Sequence, residues 1–448
     1  CNGMKRFPNT YVIISALIVL CAVASWVTPG GVPQTWQVFT ALYDGFVRQA
    51  GIIVFILIIG GSFWLVNESK AIEAGIGAFL RRCKEFERYS LLRRIGVNNL
   101  VLIFTMLIFS TFGAVFGMSE ETIAFIVVMV PLAISMGYDS TTGVCMAYLA
   151  AHVGFAGAFL NPFTIGIAQD MAQLPPFSGM GYRIACWIIL TVVMLVFVLR
   201  HAAKVRRNPE ASLMYKEDSH WRSLNSEGEA QHISRRQIAV LCLLAATIVA
   251  LIVGVVVYEW YLPELSALFL VLGIATGIIM GMGANDISKS FMDGAKDIFT
   301  AAIVVGLASG IIVILENGKV LDPMLASIGE AFGDSGPESS LSLMYGIQTL
   351  INLAIPSASA KAAITIPIMA PFSDLIGVSR QSMVLAFQFG DGFTNMITPT
   401  SGTLIAVLGM ARIPFATWVR FIWRFVLLLI ALGFLLLMGS LWLHPAGY

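Results

Sequence analysis

The sequence predicts an all-α polytopic membrane protein built as two inverted-topology repeats, each with a re-entrant hairpin and a broken transmembrane helix. Three observations carry that expectation. Of the 448 residues, 58% are hydrophobic and 12% charged, where a soluble domain has about 25% charged residues, and mean hydropathy is +0.84. Apolar runs recur that are long enough to cross a hydrocarbon core, which takes about 20 helical residues. Two segments, "GMSEETIAFIVVMVPLAISMG" (117–137) and "SASAKAAITIPIMAPFSDLIG" (357–377), align without gaps, pairing Ser119 with Ser359, Met129 with Met369, Pro131 with Pro371 and Gly137 with Gly377.

Each element follows in order. Cys1-Asn2-Gly3 ahead of Met4 reads as a processing scar outside the fold, and 10–28, too long for a signal-peptide core and without a small-residue cleavage pattern, as a retained first span. Spans follow at 49–67, 141–172, 182–201, 237–258, 265–283, 298–315, 381–410 and 416–438, and two of these, 141–172 and 381–410, are interrupted. At 97–136 and 341–376, paired apolar runs are joined by "FGMSEET" and "PSASAK". Arms of about 15 residues fall short of a crossing, so each region reads as a hairpin that enters and leaves on one side. Segments 70–82 and 318–332 are amphipathic and belong at the interface. The polar stretch 202–236 separates a first repeat, 10–201, from a second, 237–438.

With the N-terminus in the cytoplasm, two basic clusters share that side: Arg81, Arg82, Lys84, Arg88, Arg93, Arg94, and Arg200, Lys204, Arg206, Arg207, Arg235, Arg236. The other side receives Arg48, Arg183, Lys319 and Arg380, the asymmetry expected of a correct topology. That makes 202–236 a cytoplasmic linker. Five crossings separate equivalent elements, an odd number, so the second repeat is upside down. "NESKAI" (67–72) and "ENGKVL" (316–321) hold matching places, as do the prolines of "LNPFT" and "ITPTSGT". Inverted repeats with discontinuous helices mark secondary transporters, whose site lies near the midplane where the repeats meet.

Net charge of +1 gives no reason to expect a nucleic-acid partner. Cys1, Cys21, Cys83, Cys145, Cys186 and Cys242 are scattered, without a C-x-x-C pair or a His at ligand spacing, and read as packing residues. No H-E-x-x-H or G-x-S-x-G motif supports an enzyme, and hairpins from opposite faces argue against a passive channel.

A buried charge within a membrane costs about 2.5–3.5 kcal/mol on insertion scales and so implies a function. Glu120 and Glu121, adjacent acids that also repel, should face protein or water and meet something positive. Unwound backbone at the first hairpin tip, with Ser119, Glu120 and Thr122, offers hard oxygens to a sodium ion; Ser119 or Glu120 capping the second arm is the plainer reading. At the second tip, Ser357, Ser359 and the N–H groups of the following arm suit an anion. Lys361 adds a positive charge, which snorkels, binds a solute carboxylate, or takes a sodium ion's place.

The breaks are polar too. The first holds His152, Asn161, Thr164 and Asp170, with Pro162 freeing the Ala158 carbonyl. The second holds Gln388, Asp391, Thr394, Asn395, Thr398, Thr400 and Ser401. Gly390 and Gly392 beside Asp391 favour unwound backbone and a carboxylate aimed at a ligand, against a structural polar network. His152 is a proton-coupling candidate or a packed, hydrogen-bonded histidine. Asp139 and Asp374, at the hairpin exits, read as caps or interfacial residues.

"GMSEETIAF", "FLNPF", "SASAKAAITIPIMAP" and "VLAFQFGDGFTNMITPTSGTLIAVLG" resemble the YfcC family, provisionally named as basic amino acid antiporters and grouped with the C4-dicarboxylate anaerobic carriers in the ion transporter superfamily. The resemblance runs from about Thr10 to Arg424. It implies a bacterial inner-membrane homodimer in which hairpins and broken helices slide against a scaffold as an elevator. The family's tip positions fall on Ser119, Glu120, Glu121, Thr122, Ser357, Ser359 and Lys361, and its break positions on Asn161, Pro162, Asp391, Asn395, Thr398, Pro399 and Thr400. "TPGGVPQTWQVF" (28–39) is a shorter first external loop than such relatives lead one to expect.

The expected function is therefore secondary active transport of a small charged solute, by antiport or cation coupling. Three acids (Glu120, Glu121, Asp391) against one base (Lys361) favour a basic or other amino acid; a C4-dicarboxylate or other carboxylate coupled to sodium or protons is the alternative. No cofactor is expected beyond a coupling sodium ion or proton, with Ser119, Glu120, Thr122, His152 and Asp391 as its candidates.

Overall fold

The computed structural model describes residues 10–72, 74–75, 78, 96–175, 177–226, 233–258, 260–320 and 336–448. Among these, every regular element is helical. In chain order they are α1 (Thr10–Val27), α2 (Gln37–Arg48), α3 (Ala50–Glu68), α4 (Val97–Phe116), α5 (Thr122–Ser135), α6 (Ser140–Val144), α7 (Ala150–Ala156), α8 (Ile167–Met171) and α9 (Met180–Arg207). Then follow α10 (Ser219–Ser226), α11 (Arg235–Tyr258), α12 (Leu262–Met280), α13 (Ala284–Asn317), α14 (Pro337–Ala354), α15 (Ala358–Leu375), α16 (Arg380–Asn395), α17 (Gly402–Ala411) and α18 (Phe415–Trp442). A π-turn at Cys145–Leu149 joins α6 to α7, and another at Pro162–Gly166 leads into α8.

By length and composition, α3, α4, α9, α12 and α18 can each cross a membrane, as can α13, which is bent by 44° near Thr300. Most of the two segments expected at the interface, 70–82 and 318–332, lies outside the described residues, as does the basic cluster from Arg81 to Arg94.

One body gathers around α3 and α13. Their contact is close because glycines line it: a Cβ on Gly294 would stand 2.4 Å from the Gly60 carbonyl oxygen. α2 seats Gly45 in the same way against Gly310 of α13, and α12 seats Gly273 against Ser62 of α3. The sequence reading contains no helix at 37–48. α2 buries Ala41 and Gly45 while exposing Phe39, Tyr43 and Val47, and a 12-residue amphipathic helix escapes a search for long apolar runs. Only Gln49, at φ −100° and ψ 14°, separates it from α3.

The other body holds the two hairpins, α4–α5 and α14–α15, and the two interrupted helices that follow them. Three arms exceed the expected length: α4 has 20 residues and α14 and α15 have 18 each, against 14 in α5. In these three the helix runs on through the apolar residues that flank the short polar tip. At about 1.5 Å per residue, α5 reaches only about 21 Å, short of the ~30 Å hydrocarbon core.

The second arm and the helix after it recur in register 240 positions on (377 − 137). Gly137 (φ +84°) and Gly377 (φ +69°) both turn the chain in the left-handed region. Two residues later come the N-caps Asp139 and Ser379, whose side chains accept from Thr142 N and Ser382 N. Asp139 is thus a buried cap, whereas Asp374 is exposed and paired with Arg380 at 2.7 Å.

The linker is more structured than its composition suggests. α9 runs on to Arg207, and α10 lies against the helix starts and ends of the hairpin body. Ser212 Oγ donates to Asp139 Oδ2 (2.7 Å), Ser140 N donates to Asp218 Oδ2 (3.0 Å), and Trp221 Nε1 donates to the Ala411 carbonyl (3.4 Å).

Candidate solute site

The two hairpin tips and the two helix breaks converge on one cavity of about 700 Å³. Gly117, Ser119, Glu120 and Glu121 come from the first tip and Pro356, Ser357 and Ala358 from the second; His152 and Phe155 precede the first break, and Asn395, Thr400 and Ser401 flank the second. The α3 and α13 body closes the remaining side with Arg48, Gln49, Tyr261 and Ile312.

The first tip is shaped by close packing. α4 is held to α7 by glycines, since a Cβ on Gly113 would fall 1.9 Å from the Ala151 carbonyl oxygen and one on Gly154 1.9 Å from that of Ser110. α4 ends at Gly117 (φ +72°), where a Cβ would fall 2.4 Å from Asn161 Oδ1. Beyond it, Ser119 N donates to Glu121 Oε2 (3.0 Å) and Thr122 Oγ1 donates to the Ser119 carbonyl (2.5 Å). Glu121 itself sits at the α5 cap position without a side-chain cap bond, so capping does not account for Ser119 or Glu120. Glu120 lines the cavity together with Ser119 and Tyr261.

His152 is 2% exposed. Its Nδ1 lies 3.0 Å from the Tyr148 carbonyl and its Nε2 3.3 Å from Ser119 Oγ. A carbonyl can only accept, so in the neutral ring Nδ1 carries the proton and Nε2 accepts from Ser119.

At the second tip the outcome differs from the sequence expectation. Lys361 and Asp391 are both fully buried and do not reach the cavity wall. They meet each other, Nζ to Oδ1 at 3.2 Å, with the ammonium 4.8 Å from the Phe387 ring centre. Asn395 Nδ2 donates to Asp391 Oδ2 (3.3 Å), and Asn352 Nδ2 faces Asp391 O, Thr394 Oγ1 and Asn395 Oδ1 at 2.8–2.9 Å. Lys361 therefore does not snorkel. The Ser359 side chain is outside what the structure describes.

The breaks cross one another. Gly392 packs on Ala156, where a Cβ would be 2.3 Å away. Tyr148 OH donates to the Asn395 carbonyl (3.0 Å), and Gln388, 240 positions on (388 − 148), donates to the carbonyls of Ala156 (2.8 Å) and Ala158 (2.9 Å). The carbonyl expected to be freed by Pro162 is thus taken by Gln388. Thr398 and Thr400 both donate to Leu353 O, at 3.1 and 2.8 Å, and of the two only Thr400 lines the cavity. Asn161 and Thr164 are buried, while Asp170 is exposed at the end of α8.

Sequence reasoning missed Arg48, Tyr261 and Asn352. Asn352 carries a readable signal, a lone amide inside the apolar "LINLA". Arg48, paired with Glu316 at 2.6 Å, and Tyr261 lie at span ends, where charged and aromatic residues are ordinary.

A family model described as C4-dicarboxylate anaerobic carrier matches residues 34–441. The chain is 38% identical over 381 residues, 83% of its length and 73% of the relative's, to a protein of Escherichia coli (strain K12) provisionally named the basic amino acid antiporter YfcC. It is 27% identical over 431 residues, covering 92% of itself and 81% of the relative, to an uncharacterized protein of Haemophilus influenzae (strain ATCC 51907 / DSM 11121 / KW20 / Rd). Among solved structures it is similar to the YdaH transporter of Alcanivorax borkumensis, at 17% identity and a TM-score of 0.44, over 98% of this chain and 100% of that one.

Proposed function

This chain is a YfcC-like member of the C4-dicarboxylate anaerobic carrier family, an integral membrane transporter, and from that premise we propose that it exchanges basic amino acids across a bacterial inner membrane. One observation carries the choice of solute. Glu120 and Glu121 stand on the cavity wall, whereas the base counted against them, Lys361, is neutralised by Asp391 behind it. The other base, Arg48 on the wall, is paired with Glu316 at 2.6 Å, so the two acids are what is left for a solute to meet.

In this reading the guanidinium or ammonium of the solute lies at Glu120 and Glu121. Its α-carboxylate lies at the starts of α15 and α17, where the first N–H groups of a helix lack intrahelical partners, beside Ser357, Asn395 and Thr400. The Lys361 ammonium fills what would otherwise be a cation position next to Asp391, so the second hairpin needs no bound ion. Ser119, Glu120 and Thr122, with His152 behind Ser119, are left for a coupling sodium ion or proton. The matching register of the hairpin exits and the reciprocal Tyr148 and Gln388 bonds support two repeats related by inversion. The hairpin body would then slide as an elevator along the α3 and α13 body, with the N-terminus and linker cytoplasmic and a second copy completing a homodimer.

A C4-dicarboxylate is the second reading, favoured by the two helix starts opening on one cavity. Counterflow separates the readings: proteoliposomes loaded with unlabelled L-arginine should accumulate labelled arginine, and those loaded with succinate should not accumulate labelled succinate. The reverse result would sink the basic-solute assignment.

A further inference from the structure

We propose that a second cavity, on the cytoplasmic half of the seam between the two bodies, is where the solute site docks after the hairpin body slides, and that Glu68 is the acid that meets the solute's cationic group there. The inference rests on the sliding carrier of basic solutes proposed above and adds where the slide ends.

The second cavity has a volume of about 290 Å³ and shares no lining residue with the solute cavity. The same three helices build both. α3 gives Ile52 to the solute cavity and Phe63, Trp64 and Glu68 to the second, and α13 gives Ile312 to the first and Asp297 to the second. α17 gives Gly402 to the first and Met410 to the second, while α5, which starts at the first hairpin tip, adds Val127 to the second. Between the two, α3 buries Phe55, Ile56 and Ile59 with no exposed surface. The cavities are thus separate, and a solute held at one reaches the other by riding on the hairpin body.

Their spacing measures the stroke. Gly402 faces Ile52, whose Cδ1 stands 3.6 Å from where a Cβ on that glycine would be. Phe63 comes 11 positions after Ile52 (63 − 52), which at about 3.6 residues per turn puts it on the same face of α3, about 16 Å further along. Met410 comes 8 positions after Gly402 (410 − 402), about 12 Å further along α17. A slide of about 12–16 Å therefore brings the start of α17, with Thr400 and Ser401, opposite Phe63 and Trp64.

The chemistry at that level suits a cation. Glu68 accepts from Trp64 Nε1 (3.1 Å) and from Ser290 Oγ of α13 (2.7 Å), both neutral donors. The bases on the wall do not neutralise it. Arg412 donates to both oxygens of Asp297, at 3.0 and 2.9 Å, and among the described residues no ion pair joins Lys70 or His220 to Glu68. Trp64, bonded to that carboxylate, sets an aromatic surface beside any guanidinium or ammonium held there. Glu120 and Glu121 travel with the solute, whereas Glu68 stays with α3 and competes for the cation only at the inner end, which favours release. The Arg412–Asp297 pair joins α17 to α13 and has to part before the slide, so it holds the outer position.

Two measurements test this. The solute-free one is disulfide cross-linking, in membranes, of a protein otherwise free of cysteine. Gly402→Cys should cross-link with Ile52→Cys in the outer position and with Phe63→Cys in the inner one, so both pairs should form; Trp64→Cys takes the place of Phe63→Cys if that variant does not fold. Cross-linking of the Ile52 pair alone overturns the docking position. The second compares arginine uptake by right-side-out and inside-out vesicles. Glu68→Gln should raise KM at the cytoplasmic face about three- to fivefold, the weight of a partly exposed ion pair, and leave KM at the outer face within about twofold. An equal shift at both faces, or none, removes Glu68 from the site. If the inner pair forms but arginine is not carried, the docking position stands, and the basic-solute reading falls together with the role of Glu68. If arginine is carried but the inner pair never forms, the docking position falls and the basic-solute reading stands.

Discussion

Lys361 Nζ and Asp391 Oδ1 lie 3.2 Å apart, and neither side chain has any exposed surface. Removing one partner of such a pair strands a buried charge, at a cost of about 3–5 kcal/mol, whereas replacing both is often close to neutral. Lys361→Ala should therefore lower the thermal midpoint sharply, and Lys361→Met with Asp391→Asn should recover most of the loss. If the ammonium stands in for a cation, sodium chloride should raise the midpoint of Lys361→Ala over choline chloride and leave the parent unmoved. Transport by that variant should stop or become sodium-dependent; uptake and salt response identical to the parent would remove Lys361 from the mechanism.

The two adjacent acids should not be equivalent. Glu121 commits Oε2 to Ser119 N at 3.0 Å and is 5% exposed, while Glu120 is the less buried of the two on the cavity wall. Glu120→Gln should weaken arginine affinity by about tenfold or more, the scale of a charged hydrogen bond. Glu121→Gln keeps an acceptor for Ser119 and should weaken it less. Equilibrium binding to detergent-purified protein ranks them, and the opposite order would move the cation subsite to Glu121.

The difference between these two pairs also marks how far the sequence could be read. Glu120, Glu121, Ser119 and His152 were legible because polar residues inside an apolar run must be satisfied locally, and the tip that satisfies them is itself a sequence signal. Gly137 and Gly377 are legible as equivalent positions of the two repeats, and Asp139 as a cap or interfacial residue. Lys361 and Asp391 were each singled out, but their meeting was not, since 30 residues (391 − 361) and a helix crossing at Gly392 lie between them. Local pattern assigns a charge a need, and tertiary packing decides who meets it. Tyr261 was invisible for the converse reason: a tyrosine at a span end has an ordinary explanation, and only the hairpin tip opposite gives it another.

Packing of the first hairpin against its interrupted helix should tolerate no side chain at Gly113 or Gly154, where a Cβ would fall 1.9 Å from backbone carbonyl oxygens. Backbone cannot yield as a side chain can, so Gly113→Ala or Gly154→Ala should cost about 1–3 kcal/mol or more and separate Ser119 from His152. Gly346, exposed on α14 with nothing within 4 Å of its Cβ position, is the control. There alanine should be neutral or stabilising by about 0.5–1 kcal/mol. Thermal unfolding of the three variants checks the contrast, and equal losses at all three would refute the packing argument.

Docking of the linker should depend on pH through Asp139 and Asp218, which face the same helix start. Burial resists ionisation of Asp139, but hydrogen bonds from His201, Thr142 and Ser212 prevail and hold its carboxyl down at about 2 from an ordinary 3.8. Its stabilisation is complete above 3.8 and is lost only as pH falls towards 2. Asp218 behaves oppositely: burial, with Asp139 nearby, pushes it up to about 6 against the hydrogen bonds of Ser140 and the charge of Arg222. The docked linker thus holds a proton that the detached one releases, and the stabilisation this gives, full below 3.8, fades as pH rises through 6. Between these limits Asp218 sets the downward slope, and His220, whose pKa burial and the charge of Arg412 lower, opposes it. Amides of 212–226, corrected for intrinsic exchange, should be better protected from deuterium at about pH 5 than at about pH 8. Asp218→Asn keeps an acceptor for Ser140 N and has no proton to lose, so it should abolish or reverse that difference. Better protection at about pH 5 than at about pH 8 that survives in Asp218→Asn would place the titrating group elsewhere.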